Sequence, residues 1–352
     1  MDEGENQGAF ALNAKPVASL AEIRAIMAEL PGPTVAAGDA AAAREGTLTK
    51  PPGALGRLEE LNHWLCLWQG RHPARLDRPR ISVFAGNHGV AARGVSAYPA
   101  EVTRQMVANF TAGGAAVNQL CLAADAELRV YEMELENPTG DFSTGEAMSE
   151  ADCAKAFAYG MMAVEPGVDL LGLGEMGIAN TTSAAALCCA LFGGGAREWV
   201  GPGTGVVGEA LARKIVVVDE AMKRHRPQFI DSFDIMRRVG GRELAAIAGA
   251  VMAARLARVP VLLDGFACTA AAAVLLAADA HALDHCVVAH CSAEPGHRKL
   301  LERIAKKPLL DFGMRLGEAS GAALAIPLLR SAIACHNGMA SFAEAGVSGK
   351  VD

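Results

Sequence analysis

From about residue 80 onward, short apolar runs alternate with longer segments whose apolar residues recur at helical spacing. Runs that are apolar throughout are typical of strands buried on both faces, and strand–helix alternation is typical of parallel sheets. We therefore predict an α/β fold with Rossmann-like layering, in which helices cover both faces of a parallel sheet. The predicted strands are residues 81–85, 128–135, 168–173, 259–263 and 286–289, with helices at about 99–124, 149–161, 181–192, 205–224, 241–257, 267–280 and 296–305.

Both ends of the chain show helical patterns without strands. Ser19 and Glu22 have the spacing of a capping box, and apolar residues recur at helical spacing through about 55–68. The chain is again helical from about 317 to 342. We predict a flexible tail at 1–15, N-terminal helices at 16–78, an α/β catalytic domain at 79–316, and C-terminal helices at 317–352 that complete a small helical subdomain with the N-terminal ones.

Composition and charge exclude several classes of protein. Hydrophobic residues make up 51% of the 352 residues, enough for a large buried core, which excludes wholesale disorder. The formal net charge is −7 and long basic runs are absent from the sequence, so we predict no nucleic-acid partner. The most apolar stretch, 266–278, is too short to span a membrane, so we predict no membrane association. The N-terminus lacks the basic and apolar regions of an export signal, and we predict a cytoplasmic protein.

The nine cysteines predict buried thiols. They are scattered, odd in number and without a C-x-x-C pair, as is typical of small apolar side chains in a reducing compartment. His and Cys residues cluster at 281–291, but there His285 and His290 would face opposite sides of a strand. We therefore predict no metal site.

Four predicted strands end in loops rich in glycine and polar residues. The loops read GNHGV at 86–90, GEMGIANTT at 174–182, DGF at 264–266 and SAEPG at 292–296. Ligands of open α/β sheets bind at the carboxyl ends of the strands. The sequence therefore predicts a functional site at this edge of the sheet.

The GEMGIANTT segment is suited to an anion. Gly177 allows a close backbone approach, and Asn180 and Thr181 can cap a helix whose N–H groups attract a phosphate. Plain helix capping explains the same residues equally well. Ser292 similarly caps a helix or holds a phosphate oxygen. Lys214, beyond a flexible GPGTG loop, either reaches the anion or is solvated. The sequence has neither a Walker loop nor G-x-G-x-x-G, so a nucleoside triphosphate or a dinucleotide is not indicated.

Glu318 lies among Gly, Ala and Leu in the segment MRLGEASGAALAIPLL. Poor hydration raises the pKa of a carboxyl group, and such a group can act as a general base near neutral pH. The alternative is a first-turn glutamate that favours the helix dipole. His88, between two glycines, either takes part in acid–base chemistry or stabilises its turn. Tyr98, Pro99 and Met106 are candidates to line an aromatic pocket, although a methionine at helical spacing also suits the core.

Seven collinear segments carry a family resemblance. They span residues 48–325 and resemble the nicotinate-nucleotide–dimethylbenzimidazole phosphoribosyltransferase family, which prepares the lower ligand of cobalamin. The segments are LTKPPGALGRLEEL (48–61), AGNHGVAARGVSAYPAEVT (85–103), LGLGEMGIANTTSAAA (171–186), VGGRELAAIAGA (239–250), PVLLDGF (260–266), HCSAEPGH (290–297) and MRLGEASGAALA (314–325).

The resemblance implies a reaction. Nicotinate mononucleotide and 5,6-dimethylbenzimidazole give α-ribazole 5′-phosphate and nicotinate, with inversion at the anomeric carbon. It implies that Glu318 is the general base and Glu175 a second acid of the site, without a cofactor, and that the enzyme is a homodimer. The nucleotide is expected at Gly177, Asn180, Thr181, Lys214, Asp264 and Ser292, and the base between Tyr98, Pro99, Met106 and Leu316.

The chain also departs from the family pattern. Asn87 stands where many members have Asp, Glu134 where a Gly is often found, and Tyr98 and Met106 where some relatives have polar residues. These differences leave open the same chemistry on another lower-ligand base. A non-catalytic binder of nucleotide or benzimidazole and another nucleotide enzyme, such as a nucleosidase, are the remaining alternatives.

Overall fold

The structure is a computed structural model that describes residues 19–349, so the tail predicted at 1–15 lies outside the described residues. Five parallel strands form one sheet in the order β2-β1-β3-β4-β5, which confirms the predicted α/β fold. The strands are β1 (Pro79–Ala85), β2 (Glu127–Glu132), β3 (Leu170–Met176), β4 (Val261–Leu263) and β5 (Cys286–Val288).

Helices surround this sheet. They are α1 (Leu20–Ala28), α2 (Val35–Glu45), α3 (Arg57–Gln69), α4 (Glu101–Thr111), α5 (Ala116–Ala123), α6 (Glu150–Met161), α7 (Asn180–Phe192), α8 (Gly208–His225), α9 (Ser232–Val239), α10 (Arg242–Leu256), α11 (Phe266–Ala278), α12 (Pro295–Arg303), α13 (Ser320–Gly338) and α14 (Phe342–Ala345). Short 3-10 turns lie at Gly89–Arg93, Ala196–Glu198 and Arg226–Gln228. Among residues 19–349, none of the helices is long and apolar enough to cross a membrane.

Alternate residues of each central strand face two separate apolar clusters, as the two-residue period of a strand requires. In β1, Ile81 and Val83 pack with α3, α5 and α13, whereas Phe84 packs on the opposite side with α6, α7, α10 and α11. The sheet is therefore the middle layer of three, and both of its faces are buried.

Helices α2 and α3 meet helix α13, from near the other end of the described chain, on one face of the sheet. Residues of α3 and α13 belong to the same apolar cluster, Leu48 forms a bridge with Ser341, and Arg44 donates to backbone carbonyls at the end of α13. In contrast, α1 packs with the opposite cluster, and its Arg24 pairs with Asp231 at 2.6 Å. The domain boundaries stay a prediction.

Several element boundaries differ from the sequence-based expectation. The helix predicted over 99–124 is broken into α4 and α5 at Gly113, which has φ +81°. Helix α9 was not predicted; Asp231 caps it by accepting from the Asp234 amide at 2.8 Å. Strand β3 runs three residues further than expected, since Gly174 and Glu175 continue its pairing with β1.

The order of the strands creates a crevice. The chain passes from β1 outward to β2 and then returns to β3 on the other side of β1. Connections therefore leave the carboxyl ends of β1 and β3 in opposite directions, and ligands of open α/β sheets bind at such a point. Glu175 lies near the end of β3 and His88 lies just beyond the end of β1.

Candidate active site

Glu175 and Glu318 meet at the carboxyl end of β3. The Glu175 amide donates to the Gly317 carbonyl at 2.8 Å. A Cβ on Gly317 would lie 2.1 Å from Glu175 Oε1, and one on Gly174 would lie 2.3 Å from the Ala319 nitrogen. These glycines let the segment before α13 cross directly over the strand end, which brings Glu318 to the edge that carries the glycine-rich loops.

The surroundings of Glu175 favour its neutral form. Burial raises the pKa of this carboxyl to about 8, and the nearby carboxyls of Glu243, Asp264 and Glu318 act in the same direction. The side-chain amide of Asn180 donates to Oε2 and partly opposes the shift. Glu175 is therefore mostly protonated at pH 7.

Glu318 is also buried, but donors face its carboxylate. Burial raises its pKa, and Asp264 adds to the rise. The Val117 amide, in the first turn of α5, donates to Oε1 at 3.0 Å and lowers the pKa, as does the amide of Ala116. Helix N-terminal N–H groups stabilise negative charge. The two adjacent acids thus differ in their surroundings: three carboxyl groups act on Glu175, whereas Glu318 accepts from backbone amides at the N-terminus of a helix.

Asp264 is a third buried acid at this edge. It directly follows β4, and its Oδ1 accepts from the Ala322 amide of α13 at 2.9 Å. His290 Nδ1 lies 3.5 Å from the same oxygen. Among the described residues, Asp264 Oδ2 and both ring nitrogens of His290 have no hydrogen-bond partner.

Lys214 is buried rather than solvated. Its Nζ donates to Thr181 Oγ1 at 2.8 Å and to the Gly201 carbonyl at 3.0 Å. Burial lowers its pKa to about 8, and the charge of Glu294 opposes that shift. A Cβ on Gly203 would lie 2.8 Å from Nζ, and the residue has φ +53°. The 201–205 loop therefore depends on glycine to pack directly against the lysine.

Ser292 and Gly177 are enclosed by their own loops. The Ser292 hydroxyl accepts from the Glu294 amide at 3.2 Å, and the Ser292 amide donates to His297 Nδ1 at 2.8 Å. A Cβ on Gly177 would lie 2.7 Å from the Gly86 carbonyl, which explains the need for glycine at this crossing. The Ser292 hydroxyl therefore stabilises the turn before α12, whose N-cap residue is Glu294, and its contact with a phosphate stays a prediction.

The residues assigned to the base pocket are mostly exposed. Tyr98 is 56% exposed, Leu316 is 47% exposed and Pro99 is also exposed. Met106 is half-buried and packs against the apolar cluster of α3 and α13, which fits the core alternative. Their contact with a base stays a prediction.

Hydrogen bonds tie the loops around the site to one another. The Ala97 amide and the Ser96 hydroxyl both contact Thr204 Oγ1 at 2.9 Å. Arg315 Nη1 donates to the Gly203 carbonyl. The segments before α4, before α8 and before α13 therefore form one connected rim.

Sequence reasoning missed Glu294 and Glu243. Glu294 accepts from the Gly203 amide at 2.9 Å and lies 3.4 Å from Arg315. Glu243 Oε1 lies 2.6 Å from His88 Nε2 in a fully buried contact. Both stand in segments given above, SAEPG and VGGRELAAIAGA, where an acid two residues from a glycine was the available signal. Within residues 19–349, the structure groups no three His, Cys, Asp or Glu side chains that could hold a metal.

Glu134 and Asn87, which depart from the family pattern outside the proposed base pocket, each make one clear contact. Glu134 has φ +53°, in the region that favours glycine, and its carboxylate pairs with Lys155 at 2.5 Å. Asn87 Nδ2 donates to the Leu135 carbonyl at 2.9 Å and so links the end of β1 to the loop after β2.

A family model described as phosphoribosyltransferase matches residues 30–347. The chain belongs to this family. A nicotinate-nucleotide–dimethylbenzimidazole phosphoribosyltransferase of Sinorhizobium medicae is 57% identical to this phosphoribosyltransferase over 330 residues, covering 94% of this chain and 97% of the relative. A protein of the same name from Rhizobium meliloti is 56% identical over 329 residues, with the same coverage.

The fold of the phosphoribosyltransferase also matches a solved structure. The crystal structure of the enzyme of that name from Thermus thermophilus superposes with a TM-score of 0.83 at 41% identity, covering 90% of this chain and 99% of the other. The family resemblance drawn from the seven segments is thereby confirmed, and the protein is a pentosyltransferase.

Proposed function

We propose that this phosphoribosyltransferase converts nicotinate mononucleotide and 5,6-dimethylbenzimidazole to α-ribazole 5′-phosphate and nicotinate. The names of its relatives support these substrates. The observation that carries the chemistry is the pair of buried acids, Glu175 and Glu318, in different surroundings at the strand edge that also carries Lys214. Environments that separate the pKa values of neighbouring acids give them different roles.

Glu318 acts as the general base. One benzimidazole nitrogen attacks the anomeric carbon of the ribose from the face opposite nicotinate, and the C–N bond to nicotinate breaks with its electron pair on the pyridine nitrogen. The N–H proton of the benzimidazole passes to Glu318. Because Glu318 Oε1 already accepts from the Val117 amide, we assign the proton to Oε2. The ring nitrogen of bound nicotinate is cationic and leaves without protonation, so the protein supplies orientation and a base.

Glu175 acts in its neutral form. Nicotinate carries a carboxylate, and a second ionised acid beside it would repel the substrate. A pKa of about 8 keeps Glu175 protonated at pH 7, and Asn180 holds one of its oxygens in place. The protonated carboxyl is then a hydrogen-bond donor for the ribose or for the departing ring.

The nucleotide phosphate binds at the other end of the site. Lys214 is the buried cation there, with Thr181 on its Nζ. The unpartnered Oδ2 of Asp264 is suited to accept from a ribose hydroxyl. The remaining contacts that we assign to the nucleotide are Gly177, Asn180 and Ser292.

The base lies at the exposed rim, against Tyr98, Pro99 and Leu316, with Met106 behind them. Exposed walls constrain a ligand less than buried ones do. We therefore keep a second candidate, the same transfer to another lower-ligand base.

A product assay tests the proposed reaction. The protein is incubated with nicotinate mononucleotide and a panel of benzimidazoles, purines and phenolics, and products are identified by mass spectrometry. We expect α-ribazole 5′-phosphate and free nicotinate in equal amounts. Free ribose 5-phosphate independent of any base would instead indicate a nucleosidase, and binding without product would indicate a non-catalytic binder.

We also propose that the enzyme is a cytoplasmic homodimer, as the family resemblance implies. The nine cysteines are all thiols in the structure and eight of them are buried, which suits a reducing compartment. Exposed apolar side chains, including Phe312 and Val207, offer surface for a second copy. Light scattering of the purified protein measures its mass in solution.

A further inference from the structure

A second polar cluster lies beneath the acids of the site. It consists of His88, Ser183 and Glu243, all of them buried. His88 Nε2 lies 2.6 Å from Glu243 Oε1, and His88 Nδ1 lies 3.0 Å from Ser183 Oγ. An ionised carboxylate only accepts hydrogen bonds, so Nε2 carries a proton and Nδ1 faces the hydroxyl. The proposed transfer of the phosphoribosyl group uses none of these three residues.

The cluster reaches Glu175 through the first turn of α7. Ser183 is three residues after Asn180, so the two side chains lie on the same face of the helix. Asn180 donates to Glu175, and Ser183 contacts His88. The α7 N-terminus is thus anchored at one residue and presents the amide that binds Glu175 at another.

Glycines keep the cluster close to the site. A Cβ on Gly86 would lie 2.5 Å from Glu243 Oε2, and one on Gly177 would lie 2.7 Å from the Gly86 carbonyl and 3.2 Å from Asn180 Nδ2. Only backbone therefore separates Glu243 from the Asn180 contact. Among the described residues, Glu243 Oε2 has no hydrogen-bond partner, so its charge is not neutralised by a donor on that side.

We propose that His88, Ser183 and Glu243 are positioning residues for the reaction, which hold Asn180 against Glu175 and place a fixed negative charge behind it. This inference rests on the role of Glu175 proposed above. The imidazole is the connecting part, because it alone contacts both the helix residue and the carboxylate.

The charge of Glu243 shifts the pKa of Glu175 in a predictable direction. After burial, the carboxyls of Glu243, Asp264 and Glu318 all raise the pKa of Glu175, and the Asn180 amide lowers it. Removing the Glu243 charge lowers that pKa, so Glu175 ionises at a lower pH. The alkaline limb of kcat should then move to lower pH. The kcat profile reports groups in the substrate complex, where a bound phosphate keeps Lys214 charged.

Three substitutions separate charge from position. Glu243→Gln removes the charge but keeps an oxygen that accepts from His88, and Glu243→Asp keeps the charge. Ser183→Ala removes one hydroxyl and leaves the charge in place. We expect Glu243→Gln to move the alkaline limb of kcat down by about one pH unit, with Glu243→Asp restoring it. We expect Ser183→Ala to lower kcat about fivefold, the loss of one buried hydrogen bond, without moving the limb.

A matched control is available at the far end of α13. His336 Nδ1 lies 2.5 Å from Glu45 Oε2, a second His–Glu contact, which is partly buried. His336 is 16 residues along α13 from Ser320, roughly 24 Å at the rise of a helix. Glu45→Gln should lower the melting temperature and leave kcat, KM and the pH profile of the folded enzyme unchanged.

The outcomes are distinct. The inference is wrong if Ser183→Ala keeps the parent kcat. It is also wrong if Glu243→Gln keeps the alkaline limb of the parent kcat profile while Glu175→Gln loses that limb. If Glu175→Gln itself keeps the parent activity and limb, the proposed role of Glu175 fails first. Lower melting temperatures with unchanged kinetics in all three variants would make the cluster purely structural. Should Glu243→Gln fail to fold, Ser183→Ala still decides whether the cluster positions Asn180.

Discussion

The two ends of the proposed site, the nucleotide end at Lys214 and the base end at Tyr98 and Leu316, are built differently. At the nucleotide end, Lys214 is buried and already held by Thr181 and the Gly201 carbonyl, and its pKa is lowered to about 8. At the base end, Tyr98 and Leu316 are about half exposed. One end has its polar groups in place before a ligand arrives, whereas the other offers movable apolar surface.

This difference indicates where selectivity resides. Preorganised buried donors discriminate strongly, because an unsuitable ligand leaves them unpaired. Apolar walls discriminate weakly, by a factor of about 10 to 200 for a methylene group. We therefore expect a strict requirement for a phosphorylated nucleotide and tolerance among bases. Because Glu318 is the proposed proton acceptor, it should matter for every base.

The largest effect is expected at Glu318. Glu318→Gln removes the proton acceptor but keeps the oxygen that accepts from Val117, so it should lower kcat by about 10²- to 10⁴-fold with every base, the range for a general base. Single-turnover kinetics measure the chemical step, and calorimetry measures binding of the mononucleotide.

Glu60, an exposed glutamate on α3, supplies the control as Glu60→Gln, which should leave kcat unchanged. An unaltered single-turnover rate in Glu318→Gln would remove it as the base.

A smaller effect, restricted to one substrate, is expected at the nucleotide end. Lys214→Met keeps the volume of the side chain but removes its charge, so KM for nicotinate mononucleotide should rise about 10- to 100-fold, the loss of a charged hydrogen bond. KM for the base should change little. Steady-state kinetics with each substrate varied in turn measure the two constants.

Lys155→Met is the matched control, because Lys155 is an exposed lysine that pairs with Glu134. Equal rises of both KM values in Lys214→Met would contradict a phosphate contact and abolish the distinction between the two ends.

The pH dependence sharpens the same comparison. The pKa of Lys214 in the free enzyme is lowered to about 8, so the lysine loses its charge above that pH. Glu175, with a pKa raised to about 8, becomes ionised over the same interval. Both changes oppose binding of an anionic nucleotide, and kcat/KM should fall at least about tenfold per pH unit well above pH 8. In Glu175→Gln the remaining limb belongs to Lys214; its absence there would show that Lys214 stays charged.

The sequence could predict those parts of the fold that depend on local patterns of apolar and glycine residues. The five strands and most helices follow from apolar periodicity, and the glycine-rich strand ends predicted the edge at which Glu175, Glu318 and Asp264 lie. Residues whose position depends on distant partners were not predictable. The burial of Lys214 comes from closure of the GPGTG loop, and the contact of His88 joins residues 155 positions apart. Helix α9 was missed because it is only eight residues long and its cap lies in a polar segment.

The smallest effect is expected at the exposed rim. Tyr98→Ala and Leu316→Ala should change the ratio of kcat/KM between 5,6-dimethylbenzimidazole and unsubstituted benzimidazole by only about 3- to 10-fold, since each removes part of an apolar wall. KM for the mononucleotide should stay within about twofold of the parent. Competition assays that present both bases together measure this ratio directly. Val347→Ala, a similarly exposed apolar residue near the C-terminal end of the described chain, is the control and should leave the ratio unchanged. A loss of nucleotide affinity in the rim variants would mean that the two ends are coupled through the hydrogen bonds that join Ala97 and Thr204.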